Sequence, residues 1–218
     1  MTERFIHRVR VELPPATEGA AEARGRLADR FPRTALRRMT HLGMLLGSAL
    51  DGLALAPDDA VVYASTYAES RALEDFLRSF PAASPLLFQT SIHPGGVQQV
   101  LIGRQQPIAR LWPLAGRERL VEQALLTALL EPAERVILLG GEERGSWLLE
   151  QGWASDRAFA FALELRTKRE GAVGKVARGA GNGDAGKTPT LAEFAEALGA
   201  RRGLAWGDGP WRLEWTAS

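Results

Sequence analysis

Residues 107–130 read PIARLWPLAGRERLVEQALLTALL. PIARLWP (107–113) reads as a short strand and RERLVEQALLTALL (117–130) as a helix. Leu114-Ala115-Gly116 is left as the turn between them, and glycine fits any sharp turn because it lacks the Cβ that restricts backbone angles. A strand, a tight turn and a helix form a recurrent unit of layered α/β proteins, so the flanking segments decide the class.

Those segments continue the alternation. AVVYAS (60–65) is a buried strand entered through Pro57-Asp58-Asp59, and ERVILLGG (134–141) is an apolar strand ending in paired glycines. RFIHRVRVE (4–12), RAFAFALELR (157–166) and PWRLEWT (210–216) alternate or run apolar as strands. Helices are predicted over 18–30, 33–54, 68–80, 97–105 and 190–198, the second on the spacing of Leu36, Met39, Leu42, Leu46, Ala49 and Leu53. Residues 81–95 read as irregular, and the glycine-rich, basic stretch 167–189 as a flexible loop with little to bury. The expected class is α/β, a layered mixed sheet with helices on both sides.

Composition narrows the function. The 218 residues are 45% hydrophobic, enough for one packed domain. Twenty-seven basic against 26 acidic residues give no excess for nucleic acid. No apolar run approaches the roughly 20 residues of a membrane span, and the N-terminus lacks a signal-peptide core, so a cytoplasmic protein is expected. The sequence has no cysteine, which removes disulfides, thiolate metal sites and cysteine nucleophiles. With three histidines, His7, His41 and His93, no metal or other cofactor is expected.

Four stretches carry a resemblance: RRMTHLGMLLGSAL (37–50), VVYASTYAESRALEDFL (61–77), SPLLFQTSIHPGG (84–96) and VILLGGEE (136–143). In their order and spacing, over roughly residues 35–166, the chain resembles the N-terminal half of the thiolase-like ketoacyl synthases. It is most similar to the chain-length-factor relatives of bacterial aryl polyene and type II polyketide pathways. The resemblance implies a ketoacyl-synthase-like domain over 1–166, the loop 167–189, and a short helix-strand tail over 190–218 that completes the domain.

In that family a cysteine stands in the turn before the helix and two histidines come from a C-terminal half. Here Gly116 occupies the cysteine position, Leu120 falls four residues later as in the family, and no histidine follows His93. Arg117 and Glu118 are large and charged where the family has small residues, and would crowd an acyl tunnel. The resemblance therefore implies a non-catalytic subunit in fatty acid or polyketide biosynthesis. Its partner would be an active ketosynthase, an acyl carrier protein, or a second copy. One half alone would leave a broad apolar helix face that a partner covers. By resemblance, the strand holding Ile108, Arg110 and Trp112, with Arg117 and the facing loop of Ser91 and His93, would form the dimer interface.

Other signals have plainer readings. GNGDAGKT (181–188) fits the phosphate-loop pattern in Gly181, Gly186, Lys187 and Thr188, but a polar stretch stands where the preceding buried strand should be. His93 is expected to fix its loop by bonding backbone. Ser146 is in no nucleophile elbow, and Glu142 and Glu143 are expected to be solvated. The alternatives are a divergent enzyme, such as a hydrolase or a nucleotide-binding protein, and a homodimeric interaction protein.

Overall fold

A computed structural model of the chain describes residues 2–179, 186–207 and 211–216. Eight strands form one mixed sheet: β1 (Thr2–Glu12), β2 (Ala60–Ser65), β3 (Arg110–Ala115), β4 (Arg135–Glu142), β5 (Phe159–Arg166), β6 (Gly174–Arg178), β7 (Leu204–Trp206) and β8 (Trp211–Trp215). They run in the order β3-β2-β4-β5-β1-β6-β8-β7. Only β3, β2 and β4 are mutually parallel; every other pairing is antiparallel.

The strand sequences explain a sheet buried on both faces. In β2, Ala60, Val62 and Ala64 point to one core, Val61 and Tyr63 to the other; β4 divides its Val136/Leu138 and Ile137/Leu139 the same way. One face is covered by α1 (Ala20–Arg26), α3 (His41–Ala49) and α6 (Gly95–Arg104), the other by α7 (Leu120–Leu130) and α9 (Leu191–Gly199). Gly140 of β4 is required by packing: a Cβ there would stand 2.3 Å from the Phe161 ring.

The expected helix over 33–54 is two pieces, α2 (Arg33–Leu36) and α3, because the Thr40 hydroxyl accepts from Gly43 N at 3.0 Å and starts a new helix. The stretch 81–95 contains α5 (Pro85–Thr90), with Ser84 as its cap and Pro85 in its first turn. Two further helices are α4 (Ser70–Arg78) and the four-residue α8 (Trp147–Glu150).

The reading of 167–189 as one flexible loop is corrected. Residues 174–178 are β6, an inner strand hydrogen-bonded to β1 and β8, with Val176 and Ala177 buried. Five residues with one large side chain, Val176, in the core are too short a pattern to stand out from a glycine-rich stretch. In α7, Leu120, Val121, Ala124, Leu125, Ala128 and Leu129 are buried. They pack chiefly on β2, β3 and β4, with α9 alongside, in the same core that holds Phe161, Phe194, Trp206 and Trp211.

Candidate functional site

The carboxyl ends of the three parallel strands β3, β2 and β4 lie together at one end of the sheet, the place where open α/β sheets present ligand sites. Gly116 follows β3 directly, and its N–H reaches Ser65 O of β2 at 3.4 Å. Its φ of +147° is a backbone setting that side-chain-bearing residues rarely adopt, while a Cβ built there would meet nothing within 4 Å. The backbone rather than lack of space holds glycine at this position.

The strand-turn-helix is present but shifted. β3 spans 110–115, so Leu114 and Ala115 belong to the strand, and Arg117-Glu118-Arg119 make the turn before α7 opens at Leu120. Glycine freedom and the left-handed Arg119 (φ 54°) allow the chain to reverse before the helix begins. Arg117 and Glu118 are exposed. Arg117 lies 5.1 Å over the Tyr67 ring and donates to Gly152 O, so it packs on the outer surface instead of narrowing an internal tunnel.

The interface residues read from the sequence separate. Arg110 and Trp112 lie on β3, which has β2 on one side and, among the described residues, no strand on the other. Both are held by one buried carboxylate: Arg110 Nε donates to Glu131 Oε1 at 2.8 Å, and Trp112 Nε1 to Glu131 Oε2 at 2.7 Å. Burial works to raise the Glu131 pKa, but these donors and Ala133 N outweigh it and hold the carboxyl below its ordinary value. Trp112 remains 44% exposed, so its ring is oriented yet uncovered. Ile108 does not join them. It precedes β3 and packs against the core on the α3/α6 face.

His93 and Ser91 lie on the α5–α6 connection. His93 Nδ1 is 2.8 Å from Glu69 Oε2, and its ring stacks on Tyr63 at 4.9 Å. Glu69, 4% exposed, also accepts from Gly96 N at 3.0 Å and Tyr63 OH at 3.4 Å. The expectation that His93 bonds backbone is therefore corrected: a buried carboxylate holds it. Its Nε2 is buried with no hydrogen-bond partner among the described residues. Ser91 Oγ donates to Phe88 O at 2.8 Å and lines a groove of about 320 Å³ with Tyr67, Leu73, Leu77, Trp147 and Trp153. Tyr67 thus joins Ser91's groove to Arg117.

Glu142, the last residue of β4, is buried rather than solvated. It accepts from Thr66 N, from Ser65 Oγ at 3.2 Å and from Tyr67 N at 3.4 Å, tying β4 to the turn after β2. Burial lifts its pKa to about 7, against those hydrogen bonds. Glu143 is likewise lifted to about 7 by desolvation, and accepts from Leu42 N at 3.2 Å. The sequence offered one clue, two acids directly after an apolar strand, but not their partners.

None of these groups forms a nucleophile–base pair among the described residues. His7 contacts Lys168 O, His41 contacts Glu18, and His93 contacts Glu69. Ser146 Oγ donates to Glu74 Oε2 at 2.7 Å. The phosphate-loop pattern falls partly outside the described residues. Of the part inside, Gly186 bridges to Trp206, and Thr188 Oγ1 donates to Glu122 Oε1 at 2.8 Å, which commits the hydroxyl the pattern would need.

No family model and no curated protein matches the sequence. Solved structures do. Over 98% of this chain and 99% of the other, it superposes on a chain of the complex of the ketosynthase ApeO with its chain length factor ApeC from Xenorhabdus doucetiae, with a TM-score of 0.69 and 18% identity. The two shares make those chains similar in length. A chain of the ishigamide ketosynthase/chain length factor matches with a TM-score of 0.57 and 16% identity, over 81% of this chain and 66% of that one. The fold is the thiolase-like one of ketosynthases and chain length factors.

Proposed function

We propose that this ketosynthase-fold chain is a non-catalytic, chain-length-factor-like subunit that pairs with an active ketosynthase in fatty acid or polyketide biosynthesis, of the aryl polyene type. The observation that carries the reading is the open β3 edge with Trp112 pinned on it, next to a turn whose Gly116 supplies no nucleophile. An unpaired strand edge is a template for another strand, and an oriented, half-exposed tryptophan is the side-chain type that anchors interfaces. Condensation needs a thiolate to carry the acyl group, and this sequence has no cysteine. The similarity to chains from two ketosynthase/chain length factor structures supports the choice of partner. An acyl carrier protein would then meet the assembled pair.

No helix among the described residues is long and apolar enough to cross a membrane. In this role the protein works in the cytoplasm.

The test is co-expression with the ketosynthase encoded nearest to it, followed by size-exclusion chromatography with light scattering. A stable heteromer that is lost in Trp112→Glu supports the reading. A homodimer that ignores the ketosynthase, or a heteromer indifferent to Trp112→Glu, overturns it. Condensing activity of the chain alone with an acyl carrier protein would overturn the non-catalytic assignment.

A further inference from the structure

The stretch 24–38, RGRLADRFPRTALRR, holds six arginines and one acid, Asp29, in a chain whose 27 basic residues face 26 acidic ones overall. Its inner arginines are neutralised: Arg26 Nε lies 2.6 Å from Glu18 Oε2, and Arg30 Nη1 3.3 Å from Glu12 Oε1. Arg33, Arg37 and Arg38 are exposed, and none of their side chains has a hydrogen bond or ion pair among the described residues. Arg33 opens α2 and Arg37 caps its end, so two like charges stand four residues apart on one side of a four-residue helix. Like charges at that spacing disfavour a helix, and an external polyanion relieves the repulsion.

Apolar side chains stand beside these charges. Arg38, Leu86 and Ile102 line one open cavity of about 510 Å³ between α2, α5 and α6, whose wall holds no acid among the described residues. There α6 lies directly on α2: a Cβ on Gly103 would stand 3.2 Å from Ala35 Cβ. The adjacent Ile102 is 76% exposed, and Leu86 53%. Aliphatic side chains projecting into water beside unpaired cations suit the boundary between lipid and water. Their tips enter the acyl region while the guanidinium groups meet headgroup phosphates. The same pairing discriminates among polyanions. Single-stranded nucleic acid is gripped by stacking on aromatic rings, and none lines this wall among the described residues. A folded acidic partner would need a socket shaped to Ile102, whereas acyl chains rearrange around it.

We propose that the α2/α6 face is a peripheral membrane-binding surface for anionic lipid. Arg33, Arg37 and Arg38 meet the headgroup phosphates, and Ile102 and Leu86 insert at the acyl boundary. No residue of β3 lines the cavity, so the surface is separate from the Trp112 edge and does not depend on the ketosynthase reading.

The experiment is co-sedimentation of the full chain with phosphatidylcholine vesicles, prepared with and without phosphatidylglycerol. Saturable binding to the vesicles with phosphatidylglycerol and none to phosphatidylcholine alone is expected, weakening as salt is raised. Arg37→Ala should weaken it roughly fivefold, the loss of one basic residue near an anionic surface. Reversing all three charges with Arg33→Glu, Arg37→Glu and Arg38→Glu should abolish it. Ile102→Ser should weaken it roughly tenfold by removing an inserted aliphatic chain. All four positions are exposed, so each variant should melt like the wild-type chain. Absence of binding to phosphatidylglycerol vesicles at low salt overturns the proposal, as does equal binding to phosphatidylcholine alone. So does a triple reversal that leaves binding intact, or an Ile102→Ser chain that binds as tightly as wild type. Capture of polyglutamate that the triple reversal abolishes, without any vesicle binding, assigns the patch to an acidic polypeptide and overturns the membrane reading as well.

Discussion

The indole N–H of Trp112 donates to Glu131 Oε2 at 2.7 Å, joining an edge-strand residue to the chain just past the end of α7. Arg110 takes the other oxygen of the same carboxylate. A half-exposed ring on a free edge would ordinarily sample several rotamers. Here two donors on one buried acceptor select a single orientation, which lowers the entropy a partner must remove on binding.

Trp112→Ala should therefore separate folding from assembly. With the ring 44% exposed but its indole N–H bonded to the buried Glu131, the isolated chain should still fold and lose about 1–3 kcal/mol in urea. Affinity for the ketosynthase should fall by about 2 kcal/mol or more, as for a central aromatic anchor. A fully retained affinity in a pull-down titration would remove Trp112 from the interface.

Glu142 sets a pH dependence. Its pKa rises from 4.5 to about 7 on folding, so the folded protein binds the proton more tightly than the unfolded chain. Relative to Glu142→Gln, wild-type stability should be greatest below pH 4.5. It should then fall as pH rises through 7, by on the order of 3 kcal/mol in total. Glu143 shifts in the same direction but is present in both proteins and cancels. Denaturation midpoints of the two proteins from pH 4 to 8 check this, and a difference that does not change with pH contradicts it.

Glu74 has the opposite sign. It is fully buried and accepts from Ser146 N and Leu148 N, each at 2.8 Å, and from Ser146 Oγ, which fastens α8 to α4. Burial works to raise its pKa, but these bonds and Arg71 outweigh it and keep the carboxyl below its ordinary value. Its contribution is present above pH 4.5 and is lost as pH falls through the depressed folded value. Glu74→Ala strands two backbone donors and should cost about 2–4 kcal/mol at pH 7. Its Trp147 fluorescence should shift as α8 loosens.

Gly116→Ala tests the turn. The added methyl meets no atom within 4 Å, so any loss comes from the backbone setting of φ +147° alone. A destabilisation of about 1–3 kcal/mol in urea is expected. A neutral result would show that the turn relaxes, and that a side chain at this position is compatible with the fold.

The two acids at the end of β4, Glu142 and Glu143, show where sequence reading stops. VILLGG marks the strand by its own apolar run, yet whether the next residue is solvated depends on the turn after β2, more than 70 positions away. Glu69 and His93 are the same case: the histidine was legible as a loop residue, and its carboxylate partner was not. β6 was hidden because Val176 and Ala177, on opposite faces of the strand, are buried only once β1 and β8 lie on either side.

By itself the sequence determined the alternation of strands and helices, the buried strand AVVYAS, the strand-turn-helix around Gly116 and the absence of any thiol. These are properties of a residue and its near neighbours: period, apolar run, turn chemistry and composition. Tertiary structure alone decided that β3 lies at the end of the sheet, that Glu131 aims Trp112 and Arg110, and that β6 is an inner strand. Each of these depends on which distant segments meet, because a polar group's partner and a strand's neighbour are supplied by chain remote in sequence.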